Sequence, residues 1–241
     1  MNWPGRAANK RLAQVAMKYV VLFSLFAIGL TTSAILQGGW FWLLVYPAIS
    51  FALMSAAYLG LGPELMGKRD AGTLAPISVA LLLPYLLLLW TVWHLWRLTS
   101  HEPKWNAING DFLLGRRLLG SEMPPEAASV VDLTSEFAEP TAMRSVACYR
   151  AFPMLDATGR TTAEIRTLAQ EILEMPKPVY LHCAQGHGRS GLLAAALLLE
   201  SGAAKTADQA FEMVRAVRPG VHLSGPQLRV LQEIAGDIAG D

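Results

Sequence analysis

Charged residues are scarce in this sequence. They make up 16% of the 241 residues, whereas 53% are hydrophobic, and a typical soluble domain carries about a quarter charged residues. The mean hydropathy is +0.33. Part of the chain is therefore predicted to lie in lipid. The net charge is only +1, without the basic excess of nucleic-acid-binding proteins, so we expect no nucleic-acid partner.

Cysteine is almost absent. The two cysteines, Cys148 and Cys183, provide neither a disulfide framework nor a cysteine-based metal cluster. We expect no bound metal and no cofactor. A lone cysteine in a distinctive local sequence is better interpreted as a nucleophile. Cys148 is interpreted as a small hydrophobic residue in a strand, with a regulatory disulfide to Cys183 left open as the alternative.

Acidic residues are missing from three long apolar runs. Each run approaches or exceeds the roughly 20 residues needed to cross a hydrocarbon core, and tryptophans lie near the run margins, as they do at the headgroup level. The runs cover residues 19–36, 40–61 and 74–96. We predict three transmembrane spans within 19–96, in contact with membrane lipids and preceded by a cytosolic-type segment over 1–18. The alternative is three buried helices of a soluble core.

Charges return after residue 97, and strand and helix patterns alternate from there on. Residues 97–104 are predicted to be a linker and residues 104–241 a folded domain. The runs that predict strands are 112–119, 128–137, 145–154 and 178–183. The segments that predict helices are 161–175, 190–202, 206–218 and 225–238, and capping boxes open the first and third of them. This alternation predicts an α/β domain with a central sheet flanked by helices.

The stretch "YLHCAQGHGR" (180–189) places a cysteine between a predicted strand and a predicted helix. In a glycine-rich loop, successive backbone N–H groups can point inward and form an anion cradle, which the dipole of the following helix reinforces. Arg189 adds a planar fork matched to two phosphate oxygens, and this field favours the thiolate of Cys183. The predicted phosphate-binding residues are Ala184, Gln185, Gly186, His187, Gly188 and Arg189.

"HCAQGHGRSG" (182–191) resembles the signature of the cysteine-dependent phosphatases, which include the protein tyrosine and dual-specificity enzymes. The resemblance extends over about residues 104–235 and implies a dual-specificity-phosphatase-like fold. It implies that Cys183 is the nucleophile, Arg189 the phosphate clamp and Ser190 a group that stabilises the departing thiolate. It also implies that His182 orients the loop.

Such enzymes need a general acid for the leaving oxygen, because an alkoxide is a poor leaving group. In the dual-specificity branch the acid is an aspartate upstream of the cysteine, and Asp156 matches that position. Asp132 is the competing candidate, but its place in a buried-strand pattern favours a structural role. Ser224 and Gly225 stand where the family commonly has Pro-Asn, which weakens any water-placing role for Gln227.

Three further features carry weaker expectations. His187 faces either the substrate mouth or solvent, and a solvated loop residue is the simpler interpretation. Gln185 makes the loop less cationic than the lysine-bearing loops of inositol-lipid phosphatases. Arg116 and Arg117 are candidates for contact with anionic headgroups or for the solvated face of a strand.

Two arguments about the side of the membrane disagree. Basic residues before the first run and after the second place both segments in the cytoplasm under the positive-inside rule, which sends the domain after a third span outside. A thiolate nucleophile survives better in a reducing compartment, and a re-entrant run would remove the conflict. We favour a multi-pass membrane protein with a cytoplasmic catalytic domain.

The sequence thus predicts a membrane-anchored phosphatase that acts on phosphate monoesters through a cysteinyl-phosphate intermediate. The favoured substrate is a phosphorylated membrane lipid such as phosphatidylglycerophosphate, which some relatives dephosphorylate. A phosphoprotein substrate, with tyrosine or serine/threonine phosphatase activity in signalling, is the first alternative. A membrane protein that binds phosphate without turnover is the second.

Overall fold

A computed structural model describes residues 5–240 of the chain. Residues 1–4 of the predicted amino-terminal segment lie outside the described residues. The described residues form two compact units. The first comprises residues 5–69, 73–102 and 135–137, and the second comprises residues 70–72, 103–134 and 138–240.

The first unit is built from apolar helices. These are α1 (Gly5–Gln37), α2 (Val45–Ala56) and α3 (Pro76–Thr99), and a 3-10 helix (Gly39–Leu44) and a π-helical turn (Ala57–Leu61) flank α2. The stretches Met17–Gln37, Gly39–Leu61 and Pro76–Thr99 could each cross a membrane by length and composition. Large apolar side chains stay exposed along them, with Trp40 at 86% and Leu36 at 79%. Exposed apolar surface of this extent marks a site of contact with a membrane or with another protein.

Serine hydroxyls inside this helical unit form hydrogen bonds between the helices. The Ser24 and Ser55 hydroxyls lie 2.9 Å apart across two helices. Pro84 interrupts the hydrogen-bond ladder of α3, and the N–H of Tyr85 donates to the Ser50 hydroxyl at 3.3 Å. A proline is tolerated in such a helix because a neighbouring side chain satisfies the disturbed backbone.

The second unit contains a five-stranded sheet of order β1-β2-β5-β3-β4. The strands are β1 (Trp105–Ala107), β2 (Phe112–Arg116), β3 (Ser129–Thr134), β4 (Cys148–Met154) and β5 (Val179–Cys183). Strands β2 to β5 run parallel, and β1 pairs antiparallel with β2. The carboxyl ends of the four parallel strands therefore meet at one edge of the sheet, where ligands bind in open α/β folds.

Helices pack on the sheet and bury its apolar residues. They are α4 (Thr141–Arg144), α5 (Thr162–Leu173), α6 (Gly188–Glu200), α7 (Ala207–Val217) and α8 (Gly225–Gly240). Helix α6 is buried on nearly every side, as expected for a helix that is apolar all round. The capping box of Thr161 and Glu164 is present. At α7, the Thr206 hydroxyl accepts from the Gln209 N–H, which is one half of the predicted capping box. The Gln209 side chain accepts from the N–H of Lys205, the residue before the cap, instead of completing the box.

The predicted fold class, an α/β sheet flanked by helices after apolar amino-terminal helices, is confirmed. Strand β1 was missed, because its three residues fall at the end of a stretch that looks like a linker. Both expectations for Arg116 and Arg117 are wrong: their side chains are 8% and 11% exposed, and they lie 3.2 Å from Glu122 and 3.8 Å from Glu139, respectively. Both face protein carboxylates rather than lipid or solvent.

Candidate active site

The candidate site lies where β5 ends. Cys183 is the last residue of β5, and α6 begins at Gly188. The thiol is 3% exposed. Its Sγ accepts from the Gly186 N–H at 3.3 Å and lies 3.3 Å from the Ser190 hydroxyl. A donor from the backbone and a hydroxyl from the first turn of α6 therefore converge on the sulfur, as the strand–loop–helix interpretation expects.

The loop is folded tightly against β2. Gly186 has a φ of +79°, and a Cβ there would lie 2.5 Å from the carbonyl carbon and oxygen of Gly115. Only glycine meets both conditions at low cost. On the same side, the Arg117 N–H donates to the Ala184 carbonyl at 3.2 Å. The backbone of β2 thus fixes the loop.

Arg218 holds the outer side of the loop, a role that sequence reasoning missed. Its side chain is 2% exposed. It donates to the carbonyl oxygens of Gly186 at 2.9 Å and Gln185 at 3.1 Å, and to the Asn106 side chain at 2.8 Å. Because these carbonyls point toward Arg218, the loop N–H groups are free to face the other way. The Arg-Pro pair at 218–219 was the available signal.

Arg189 lies beneath the loop with 2% of its surface exposed. Its Nη1 donates to the Met154 carbonyl at 3.0 Å, at the end of β4, and to the Leu133 carbonyl at 3.5 Å. Its Nε lies 3.5 Å from Oδ1 of Asp156. The guanidinium is therefore fixed at the carboxyl edge of the sheet, with the candidate acid next to it.

Asp156 follows β4, and its side chain is 61% exposed. The structure brings its carboxylate to Arg189. Asp132, the competitor, is fully buried and accepts from Tyr149 at 2.9 Å, which fits the structural role assigned to it.

Gln227, whose water-placing role the Ser224-Gly225 turn weakened in the sequence, lies against the loop. Its side chain is 1% exposed, and its amide oxygen would be 3.2 Å from a Cβ placed on Gly188. The amide nitrogen donates to the Thr158 carbonyl at 3.2 Å. Gln227 therefore joins the loop after β5 to the loop that carries Asp156.

His187 is 8% exposed, with its ring 5.7 Å from that of His222, so the interpretation as a solvated loop residue is wrong. Gln185 is exposed, and Ala184 and Gly188 are half-buried.

A disulfide between the two cysteines does not fit the sheet. Cys148 and Cys183 are both free thiols. In the sheet, Ser129 of β3 lies level with Cys148 of β4 on one side and with Val179 of β5 on the other. Cys183 is therefore two strands away from Cys148 and four residues further along the strand direction. At about 3.3 Å per residue and 4.8 Å per strand, this separation far exceeds the reach of a disulfide.

His182 points to the opposite face of the sheet from Cys183, because side chains alternate along a strand. It lies among buried acidic residues, and Asp132, Glu139 and His182 are close enough to share a metal ion. The guanidinium of Arg117, 3.8 Å from Glu139, already places a positive charge against this group.

Residues 112–207 match a family model described as the tyrosine phosphatase family. The match includes β2 to β5, Asp156, the loop after β5 and α6. A comparison with curated proteins found no significant match.

Solved structures of phosphatases share the fold. PTPMT1 is 21% identical with a TM-score of 0.50, over 56% of this chain and 96% of that one. PTPMT1 in complex with PI(5)P is 21% identical with a TM-score of 0.51, over 57% and 98%. A variant of human DUSP28 is 16% identical with a TM-score of 0.50, over 58% and 99%. At these identities the likeness establishes the fold.

Proposed function

We propose, from the premise that the carboxy-terminal part of this chain is a cysteine-dependent phosphatase domain, that the protein is a membrane-anchored phosphatase acting on a phosphorylated membrane lipid. The observation that carries the proposal is the convergence on Cys183. A loop N–H and the Ser190 hydroxyl each lie 3.3 Å from Sγ, and the buried guanidinium of Arg189 lies 3.5 Å from Asp156.

In the first step the Cys183 thiolate attacks phosphorus. The S–P bond forms while the P–O bond to the alcohol breaks, and Asp156 gives its proton to the departing oxygen. Loop N–H groups and Arg189 hold the other phosphate oxygens. These donors stabilise the transition state more strongly than the bound substrate, because negative charge spreads over those oxygens in the transition state.

In the second step water attacks the phosphorus of the cysteinyl-phosphate. The S–P bond breaks, and the Asp156 carboxylate accepts a proton from the water, so the acid is regenerated. The Ser190 hydroxyl, 3.3 Å from Sγ, donates to the departing thiolate. Gln227 lies beside Gly188, where its amide is suited to orient the water.

The proposal of a lipid substrate has two supports. Three helices are long and apolar enough to cross a membrane, so the chain and a lipid substrate would share the bilayer. PTPMT1, whose fold this domain shares, has been solved in complex with PI(5)P. Exposed Gln185 adds no charge to the loop, which fits a lipid with a single phosphate monoester better than a highly phosphorylated headgroup.

The test measures phosphate release by the full chain in detergent mixed micelles. The substrates are phosphatidylglycerophosphate, PI(5)P, phosphotyrosine and phosphothreonine peptides, and an aryl phosphate. Cys183→Ser removes the nucleophile, and Cys148→Ser is the matched control at the other cysteine. We expect at least tenfold higher kcat/KM for a lipid than for either peptide. We also expect the lipid rate to fall when detergent dilutes the lipid at the micelle surface.

The alternatives predict other results. Higher kcat/KM on the peptides, without surface dilution, would replace the lipid proposal with phosphoprotein phosphatase activity. Binding of an oxyanion without turnover of any substrate, including the aryl phosphate, would indicate a non-catalytic phosphate-binding protein. Equal rates for wild type and Cys183→Ser would show that Cys183 is not the nucleophile.

A further inference from the structure

Residues 70–72 lie in the chain between α2 and α3, but they belong to the second unit. The Gly72 carbonyl accepts from the Glu139 N–H at 2.8 Å. The Ala71 carbonyl accepts from Nη1 of Arg144 at 3.3 Å. A short piece of the connection between two apolar helices is therefore packed into the unit that carries the active site.

Gly72 makes this packing possible. Its φ is +76°, and a Cβ there would lie 2.5 Å from the Tyr149 hydroxyl and 2.7 Å from Cδ of Arg144. Lys68 and Leu74 form an antiparallel bridge, so the residues between them are the tip of a short hairpin. Because only glycine combines this conformation with this fit at low cost, the sequence of the connection is suited to the second unit.

Both ends of α3 are joined to the second unit by short stretches of chain. Helix α3 begins at Pro76, four residues after Gly72, and it ends at Thr99, four residues before Pro103, where the second unit resumes. Four extended residues span at most about 14 Å, whereas the hydrocarbon core of a bilayer is about 30 Å thick. The start of α3 therefore cannot lie across a bilayer from the second unit.

The second unit cannot bridge that distance by entering the hydrocarbon. Its parallel sheet is open and its connections are irregular, and backbone of this kind is not stable when exposed to lipid. The charged residues Glu139 and Arg144 lie where the hairpin tip binds. The hairpin tip and the second unit must therefore share one side of the membrane.

Residues 135–137 provide an independent observation within the first unit. The indole N–H of Trp90 donates to the Glu136 carbonyl at 2.9 Å, and the ring of Trp93 lies 5.3 Å from that of Phe137. At 1.5 Å per residue, Trp90 lies about 21 Å from the start of α3. A crossing α3 would be inside the hydrocarbon core at this depth, yet its partner there is a segment that joins two stretches of the second unit.

Helix α3 can keep an apolar face in lipid without crossing the bilayer. A helix that lies in the plane of the membrane buries one apolar face at the boundary between headgroups and acyl chains. In α3, protein covers the opposite face. The lipid-facing side chains, between 45% and 59% exposed, are Leu81, Leu88, Val92 and Leu95, and the covered ones, at most 4% exposed, are Leu82, Leu86 and Trp93.

We propose that α3 does not cross the membrane, and that the connection over 62–75 and the catalytic unit both lie in the cytoplasm. The two crossings are Met17–Gln37 and Gly39–Leu61. Basic residues before the first crossing and after the second place both segments in the cytoplasm, and the catalytic unit is on the same side, where a thiol stays reduced. The inference rests on the membrane location in the proposed function and adds that a lipid substrate must present its phosphate in the cytoplasmic leaflet.

The first test maps three positions of the full chain with a membrane-impermeant maleimide, in right-side-out and inverted vesicles of the expression host. Single cysteines replace the exposed residues Gln37, Asp70 and Glu212 in a Cys148→Ser, Cys183→Ser background. We expect Asp70→Cys and Glu212→Cys to be labelled only in inverted vesicles, and Gln37→Cys only in right-side-out vesicles. Labelling of all three in detergent is the control for reactivity.

Each other labelling pattern contradicts a specific part of the proposal. Labelling of Asp70→Cys and Glu212→Cys from opposite faces would show that α3 crosses the membrane. Labelling of both from the outer face would overturn the cytoplasmic placement. A chain recovered without membranes would defeat the membrane location on which the inference rests. Labelling needs no turnover, so a lack of phosphatase activity would count against the proposed function alone.

The second test concerns the hairpin tip. Gly72→Ala adds a Cβ where the second unit leaves no room, and Gly38→Ala is the matched control, because its φ is +62° and a Cβ there would meet open space among the described residues. Both variants carry similar backbone strain, and only the first creates a clash. In thermal unfolding of the full chain in detergent, we expect Gly72→Ala to melt about 4 °C below Gly38→Ala. Equal melting temperatures would show that residues 70–72 do not pack in the second unit and would overturn the proposal.

Discussion

The hydroxyl of Ser224 donates to the carbonyl oxygen of Ala157, the residue after Asp156, at 2.9 Å. Ala157 has a φ of +56°, in the left-handed region that residues with a Cβ rarely adopt. The side-chain amide of Gln227 donates to the carbonyl oxygen of the next residue, Thr158. The start of α8 therefore fixes the conformation of the loop that carries the candidate acid, although the two segments are 67 residues apart in sequence.

Ser224→Ala should weaken acid catalysis without removing the acid. A hydrogen bond of this kind contributes about 1 kcal/mol, so we expect about a fivefold loss of kcat on an alkyl phosphate and a smaller loss on an aryl phosphate. Ser201→Ala is the control, since its hydroxyl also donates to a carbonyl, that of Leu198, far from the site. Equal losses on both substrates would argue against a role in placing Asp156.

Asp156→Asn tests the acid itself. An alkyl phosphate should slow by about 10²–10⁴-fold, the usual contribution of general acid catalysis, and an activated aryl phosphate should slow much less. If both substrates slowed equally, Asp156 would not be the acid.

Arg189→Lys tests the phosphate clamp. An ammonium cannot reproduce two parallel N–H donors, and the variant also loses the hydrogen bond to the Met154 carbonyl. We expect kcat/KM on any substrate to fall by at least 10²-fold. Arg215→Lys, at an exposed pair with Glu212, should retain wild-type rates. Near-normal activity of Arg189→Lys would place the guanidinium away from the phosphate.

Gly186→Ala should destabilise the second unit. The new Cβ would lie 2.5 Å from Gly115 backbone atoms at a φ of +79°, and strain of this type costs about 1–3 kcal/mol. Gly236→Ala is the opposite case, because a Cβ placed there would meet open space among the described residues outside its own helix and alanine favours a helix. Thermal unfolding followed by circular dichroism should show the first variant melting lower and the second slightly higher than the wild type.

Glu122→Gln should change the dependence of stability on pH. Burial raises the pKa of Glu122, but the Leu119 N–H and Arg116 outweigh it and lower the pKa to about 2. The ionised form is thus favoured by folding, and its stabilisation is complete above the ordinary value of 4.5 and is lost as the pH falls toward 2. The variant should melt lower at pH 7 and lose less stability between pH 4.5 and 2.5. Glu212→Gln, at an exposed pair, should follow the wild type.

Local signals in the sequence were enough to predict several features. The strand that ends at Cys183, the helix that follows the loop and the Thr161 cap depend on residues close together in the chain, and the structure contains all three. The three apolar runs could also be identified from the sequence, because length and composition decide whether a helix is able to cross a bilayer. Asp156 could be proposed because it lies upstream of the cysteine, after a predicted strand and before a capped helix, where the dual-specificity enzymes that the sequence resembles carry their acid.

Only the tertiary structure decided which side chains meet across the sheet. Arg218 reaches the loop carbonyls from 32 residues away, and neither its burial nor its partners follow from a local pattern. Arg117 and Glu139 likewise look like ordinary surface charges in sequence, yet the fold places Glu139 3.5 Å from His182 and Arg117 3.8 Å from Glu139. These contacts depend on the register of separate strands and on which face each residue occupies, and a one-residue change in register would reverse every face.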